Sequence, residues 1–408
     1  MRIALLFGIF PDEYYKEIIS NSRGVIQYAA NAFQKALIEG LGVWTSDIDI
    51  INFPYIGSYP KRYTKLFSPE GDFKIQTSQN IIYGRNIRYC NLSLFKLYSK
   101  YHYVYKSLKD WIYKNSNEEK VVLIYAIHTP FIKACVELKK RFKSQIKIVL
   151  IVPDLPEYMG GSNSFIRSFL RKQNNKLLSN YYKEIDGFVL LSKYMTELLP
   201  VEDKPWTVVE GIFNNRVSNI QASQKQQHDV KTIFYSGTLA KRYGILNLVE
   251  AVCSLENPNI QLIICGAGDA LETILEYCKK DHRIIYKGQL PREEILCMQK
   301  EATLLVNPRT PEGEFTKYSF PSKTMEYLAS GTPALIYKLP GIPDEYYDYC
   351  YTIEKSDVLS FARRIDTILR KDEKELKDMA YRAQKFIFEK KNPIEQTKKI
   401  INLLKQLK

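Results

Sequence analysis

Short runs of Val, Ile and Leu alternate with amphipathic helical stretches along this chain, and the alternation begins twice, at Met1 and again at Thr232. The runs at 3–8, 48–53, 121–127, 146–152 and 187–191, then at 232–236, 261–265, 284–286, 304–307 and 334–337, read as strands. Near-continuous apolar strands of this kind belong to parallel sheets covered by helices on both faces. Helical patterns fall at 24–40, 91–114, 162–182, 246–255, 292–300, 322–330 and, with breaks, 356–407. The fold class predicted is α/β, with two doubly wound Rossmann-like domains over 1–200 and 231–390. The segment 201–230 is polar, rich in Gln, Asn and Ser, and reads as the interdomain linker. Ligands of doubly wound sheets sit beyond the carboxyl ends of the strands. The expected active site is therefore the cleft where two such domains face each other.

A length of 408 residues suits two domains, and 45% hydrophobic with 25% charged residues excludes a disordered chain. No apolar stretch reaches about 18 residues, so no transmembrane helix is predicted. The first ten residues lack a small-residue cleavage site and read as a strand, not a signal peptide. Seven cysteines, none in CxxC spacing, fit reduced thiols in a cytosolic protein better than a zinc site or a disulfide framework. The Asp47-Ile48-Asp49 pair reads as a solvated strand start, and no metal is expected there.

The net charge is +14, and residues 1–200 hold most of it, with 28 basic against 17 acidic residues. Such asymmetry points to an anionic partner. In 91–114, Leu94, Leu97, Tyr98, Tyr101, Tyr105, Leu108 and Trp111 alternate with Lys96, Lys100, Lys106, Lys109 and Lys114. That segment and 162–182 have the pattern of basic amphipathic helices. They either pack on their own sheet or lie on an anionic membrane surface. No RNA- or DNA-binding signature accompanies the charge, so nucleic acid is not the expected partner.

The stretch that carries most chemistry is 307–333, NPRTPEGEFTKYSFPSKTMEYLASGTP. A strand ends at Asn307-Pro308-Arg309, a loop runs through Ser319-Phe320-Pro321-Ser322-Lys323, and a helix then carries Glu326 and stops before Gly331. A loop feeding a helix N-terminus offers backbone N–H groups and a positive dipole end to a phosphate. Lys323 adds charge, and Glu326 about one turn inside can accept two hydrogen bonds from a vicinal diol such as a ribose. The other reading is that Ser322 is only an N-cap and Glu326 a dipole-complementing acid.

This stretch resembles the donor-binding region of family 4 glycosyltransferases with the GT-B architecture, in the branch with an SFPSK…EYLASGTP signature found among bacterial polysaccharide-assembly enzymes. Tyr235-Ser236-Gly237-Thr238-Leu239 with Tyr243-Gly244-Ile245 resembles the strand and loop that open the donor domain. Cys265-Gly266-Ala267-Gly268 resembles the glycine turn after its second strand, and Lys391-Asn392-Pro393 the start of a final helix that crosses back, over 391–408, to the first domain. Over 1–200 the resemblance is thinner and rests on Val152 to Tyr158, His128 and Gly24. Two departures stand out. The sugar-contacting acid eight residues before the helix Glu is Tyr318 here, with Glu312 and Glu314 on the loop before it. The family's basic pair after the first donor-domain strand is replaced by Thr238 and Tyr243, leaving Lys241 and Arg242 to supply charge.

The resemblance implies a retaining transfer of a sugar from a nucleotide-diphosphate sugar, a UDP-sugar by expectation. The acceptor would be lipid-linked or polysaccharide, and the enzyme peripheral at the cytoplasmic face of the membrane. The implied donor site comprises Gly237, Thr238, Lys241, Arg242, Gly266, Gly268, Arg309, Ser319, Phe320, Pro321, Ser322, Lys323 and Glu326. Catalysis would draw on His128, Lys323 and Glu326, and acceptor binding by the first domain on Arg23, Gly24, Asp154 and Glu157. Neither cofactor nor metal is implied. A nucleotide-sugar epimerase or hydrolase of the same fold, and a non-catalytic nucleotide-binding partner protein, remain open at this point.

Overall fold

The computed structural model describes residues 1–142, 145–155, 165–214 and 230–407, with side chains left out at 165–172. The chain divides into two compact units: Met1–Ile212 together with Pro393–Lys408, and Phe213–Asn392.

The first unit runs β1 (Arg2–Phe7), α1 (Asp12–Asn21), α2 (Tyr28–Trp44), β2 (Ile48–Asn52), β3 (Gly71–Gln76), β4 (Ile81–Asn86), α3 (Lys96–Lys114), β5 (Lys120–Tyr125), α4 (Thr129–Phe142), β6 (Ile146–Val152), α5 (Phe165–Tyr182), β7 (Gly187–Leu190) and β8 (Trp206–Val208). Its sheet has the order β3-β4-β2-β1-β5-β6-β7-β8. Every pairing is parallel except β3 with β4. β5 is buried at all six positions because both faces of the sheet are covered.

The strands without an apolar run are the ones the periodicity misses. β3 and β4 form an edge hairpin that leaves Asp72, Lys74 and Arg85 exposed. β8 is three residues long and lies inside the segment read as a linker. Gly24 does not open a helix. It sits in the loop before α2 at φ +81°, with no atom within 4 Å of where a Cβ would stand. Asp49, read as a solvated acid at the strand start, is instead engaged, since its Oδ2 accepts from Arg2 Nε at 2.9 Å and from Trp111 Nε1 at 2.9 Å.

The face of α3 differs from its sequence pattern. Val104, Leu108, Trp111 and Ile112 are buried together with Ser99 and Lys100. Lys100, read as part of an outward basic face, is 2% exposed. Its ammonium lies 4.7 Å from the Tyr89 ring centroid and 5.5 Å from those of Tyr55 and Phe131. Burial, then the charge of Lys96, holds its pKa well below that of an ordinary lysine.

The second unit runs β9 (Lys231–Thr238), α6 (Ile245–Cys253), β10 (Ile260–Ala267), α7 (Leu271–Lys280), β11 (Ile284–Tyr286), α8 (Arg292–Glu301), β12 (Leu304–Asn307), α9 (Ser322–Ala329), β13 (Ala334–Tyr337), β14 (Tyr351–Ile353), α10 (Val358–Leu369) and α11 (Glu373–Lys390). Its six strands are all parallel, in the order β11-β10-β9-β12-β13-β14. Numbered within the unit this is 3-2-1-4-5-6, the doubly wound Rossmann order, whose direction reverses between β9 and β12. β9 and β10 pair so closely at their ends that a Cβ on Gly266, at φ +136°, would collide with the Gly237 carbonyl oxygen.

The last helix, α12 (Pro393–Leu404), groups with the first unit and packs on α2. Gly40 makes room for the Pro393 carbonyl. Trp44 Nε1 donates to Thr397 Oγ1 at 3.2 Å and to the Ile394 carbonyl at 3.3 Å.

Candidate active site

In a doubly wound sheet the crevice opens where strand order reverses, beyond the carboxyl ends. In the second unit those ends are Gly237-Thr238 on β9 and Asn307 on β12. The chain leaves β9 through a single turn at Lys241–Tyr243 and enters α6 at Gly244, which has φ +75°. A Cβ on Gly244 would strike the Pro308 carbonyl, so a glycine is needed where the two loops touch.

Four side chains meet there. The Arg309 guanidinium lies 4.8 Å from the Phe315 ring centroid and 5.3 Å from that of Tyr243. The Arg242 guanidinium lies 4.9 Å from Tyr243 and 5.9 Å from Phe315. Arg309 Nη2 donates to Ser319 Oγ at 2.9 Å, while its Nε is buried without a hydrogen-bond acceptor. Burial, and then the Arg242 charge, lower the Arg309 pKa, though Tyr243 and Tyr235 oppose this. Two cations thus share one aromatic pair, and among the described residues no carboxylate is hydrogen-bonded to either guanidinium. Two like charges with a spare N–H donor suit an anion.

The second cluster sits on α9. Its N-cap is Pro321, with no side-chain cap, so Ser322 is the first helical residue and not the cap. Glu326 Oε1 accepts from Lys323 Nζ at 2.7 Å and from Gln299 Nε2 at 2.6 Å, and Arg292 Nη1 stands 3.9 Å from Oε2. Burial alone would raise the Glu326 pKa, but Lys323, Gln299 and Arg292 outweigh it and hold the carboxyl below its ordinary value. The side chain is 15% exposed and ionised at neutral pH. Gly331 closes the helix at φ +79°, as the sequence suggested.

The other sequence-derived positions divide clearly. Thr238, Lys241 and Gly268 are exposed, Gly237 and Gly266 are half-buried, and the Lys241 backbone N–H donates to Asp269 Oδ1 at 2.8 Å. Ser319 joins Arg309. Phe320 does not present its ring to a ligand, because it is 8% exposed and packs 5.2 Å from Tyr346 in the core. Lys323 is not a free cation but is tied to Glu326. Tyr318, where an acid was expected, is 7% exposed, whereas Glu312 and Glu314 lie on the surface.

In the first unit, His128 follows β5 one residue past Ile127. Its ring stacks on Phe131 at 4.4 Å, and burial followed by the charges of Lys100 and Lys96 keeps its pKa far below that of a free histidine. It is a neutral imidazole, suited to a hydroxyl. Ala126, two residues earlier, takes φ +68°, a strained value for a residue with a Cβ. Arg23 and Asp154 are exposed, and Glu157 lies outside the described residues.

Sequence reasoning missed Gln299, Arg292, Phe315 and the role of Tyr243 beside Arg309. None sits in the 319–326 signature, and only the packing of α8 and the 308–320 loop brings them to it.

Residues 217–386 match the family model described as glycosyl transferases group 1. No curated protein matches the sequence. Among solved structures, sucrose-phosphate synthase from Thermosynechococcus elongatus aligns at TM-score 0.64 and 15% identity, over 100% of this chain and 99% of that one. A structure described as trehalose-6-phosphate from E. coli bound with UDP-2-fluoro glucose aligns at 0.64 and 13%, and Anabaena Alr3699/HepE in complex with UDP and glucose at 0.59 and 12%, each over 100% of both chains. Among the described residues no helix is long and apolar enough to cross a membrane. The group 1 match over 217–386 and the GT-B fold of the chain together support a glycosyltransferase.

Proposed function

We propose that the chain is a retaining, family 4-like glycosyltransferase. It moves a sugar from a nucleotide-diphosphate sugar, a UDP-sugar by preference, to a lipid-linked or polysaccharide acceptor at the cytoplasmic membrane face. One observation carries the reading: an ionised, mostly buried Glu326 one turn inside the helix that follows β12, with two arginines, Arg242 and Arg309, sharing an aromatic pair at the loops after β9 and β12. The carboxylate suits the ribose diol, and the arginines suit the diphosphate. A structure of this fold bound to UDP and glucose supports the choice of donor.

Breaking the sugar–phosphate bond leaves extra negative charge on the departing diphosphate. Arg309 and Arg242 offset it, together with the uncapped N-terminus of α9. Lys323 joins them once the ribose takes its place on Glu326. The positive charge comes from the chain itself, so the proposed transfer calls for no metal. The first unit takes the acceptor, with neutral His128 directed to a sugar hydroxyl and Arg23, Gly24 and Asp154 to the acceptor.

Labelled UDP-sugars incubated with and without a lipid extract test this reading. Label should move into the extract with the α-anomeric configuration retained. Release of free sugar or an epimerised donor, independent of any extract, would replace transfer with hydrolysis or epimerisation.

A further inference from the structure

The first turn of α3 and the loop before it leave a group of large apolar side chains uncovered. Leu94 is 89% exposed, Tyr98 70%, Leu97 59% and Phe95 57%. The buried side of the helix begins only at Ser99, so these residues lie beyond the reach of the unit's own core. Beside them stand Leu66 at 39% and Phe67 at 41% exposure. The two loops are sewn together: Tyr59 N–H donates to the Asn91 carbonyl at 3.0 Å, and Asn91 N–H to the Leu66 carbonyl at 2.7 Å. Lys96, within the apolar group, turns inward and donates to the Ile56 carbonyl at 2.6 Å.

The rim of this surface is cationic. Residues 50–109 contain ten Lys and Arg against two acids, Glu70 and Asp72. Lys61, Arg62, Lys65, Arg88 and Lys106 are exposed. Lys65 is paired to Glu17 at 2.7 Å, and Glu17 and Glu70 lie with Leu66, Phe67 and Arg88 around one depression, so Lys61, Arg62, Arg88 and Lys106 carry the unpaired charge among the described residues. The Arg88 guanidinium sits 4.3 Å over the Phe67 ring, which sets a cation directly against the apolar group. Standing apolar side chains, aromatic residues among them, with basic residues outnumbering the acids around them, match the chemistry of a lipid headgroup layer carrying negative charge. A partner protein's surface would be expected to place acids opposite this rim, and a second copy of this chain offers the same positive rim and so repels it.

We infer that the 94–98 tip of α3, with Leu66 and Phe67 beside it, inserts into the interface of an anionic bilayer while Lys61, Arg62, Arg88 and Lys106 hold the lipid charges. This inference rests on the reading of the chain as one that works at a membrane, and it names the surface that docks. It moves the contact from the length of the helix to its N-terminal turn, because Leu108 and Trp111 are already used by the core.

Co-sedimentation of the full chain with vesicles of phosphatidylcholine, with and without phosphatidylglycerol, tests it at low and high salt. The wild type should pellet with the anionic vesicles and lose binding as salt rises. The Leu94→Glu/Leu97→Glu variant should bind at least about tenfold more weakly at an unchanged melting temperature, since both side chains are exposed. Arg62→Gln/Arg88→Gln should flatten the salt dependence. Variants that pellet like the wild type would overturn the inference. A wild type that stays in the supernatant at low salt would overturn the membrane reading itself. Self-association without vesicle binding, abolished by Leu94→Glu/Leu97→Glu, would replace the bilayer with a second copy. The thermal shift given by UDP, read in parallel, reports the nucleotide site separately from all three outcomes.

Discussion

Glu326→Gln is expected to cut donor turnover by about 100-fold or more while the protein stays folded. In the proposed donor site the carboxylate accepts two hydrogen bonds from a ribose. Bonds to a charged acceptor contribute about 1.5–3 kcal/mol each, so loss of the pair amounts to about 3 kcal/mol, or about 100-fold. The glutamine keeps the shape and one carbonyl oxygen for Gln299, which is fully buried and would otherwise keep only the longer bond, to Ser236 Oγ at 3.4 Å. Lys323 is 35% exposed and can turn to water. The cost to folding should therefore stay near 1 kcal/mol. Turnover, nucleotide affinity and a denaturant titration of the same preparation check all three statements. Near-normal transfer by the variant would remove Glu326 from the donor site.

Arg309→Met should show the opposite balance between binding and stability. In the free protein this guanidinium is desolvated, its Nε lacks an acceptor, and Arg242 repels it across the shared rings. Removing it should leave stability unchanged or slightly higher, because methionine packs alongside Tyr243 and Phe315 without a buried charge. Affinity for UDP should nonetheless fall by about 10- to 100-fold, the weight of one or two charge-assisted bonds to a phosphate. Affinity for uridine, which has no phosphate, should not change. Arg309→Lys should rescue UDP binding poorly, since an ammonium neither lies flat against the rings nor forks onto two oxygens. Calorimetry with UDP and uridine side by side decides it. An equal loss for both ligands would mean that Arg309 only holds the loop in place.

Much of this site was legible in the sequence because it is local. The 307–333 stretch encodes strand, loop, helix and glycine stop in one run, so Arg309, Lys323 and Glu326 could be placed by counting along it. The ten apolar runs likewise became strands, since a strand buried on both faces leaves no other pattern. What escaped depends on contacts distant in sequence. Gln299 reaches Glu326 from another helix, and Phe315 meets Arg309 only because the loop folds back over Tyr243. β3 and β4 escaped because an edge hairpin with one wet face carries charge where a strand pattern expects apolar residues. Lys100 misled for a related reason. Three aromatic rings accept its ammonium in the interior, so a lysine on the helical wheel did not mark the exposed face.

A structure of the protein with UDP bound tests the account where it is most exposed. The account puts the two phosphates against Arg309 and Arg242 at the end of β12, and both ribose hydroxyls on the Glu326 carboxylate, with Lys323 moved off Oε1. A nucleotide seated away from β9 and β12, or one bound while Lys323 still occupies Glu326 Oε1, would contradict it.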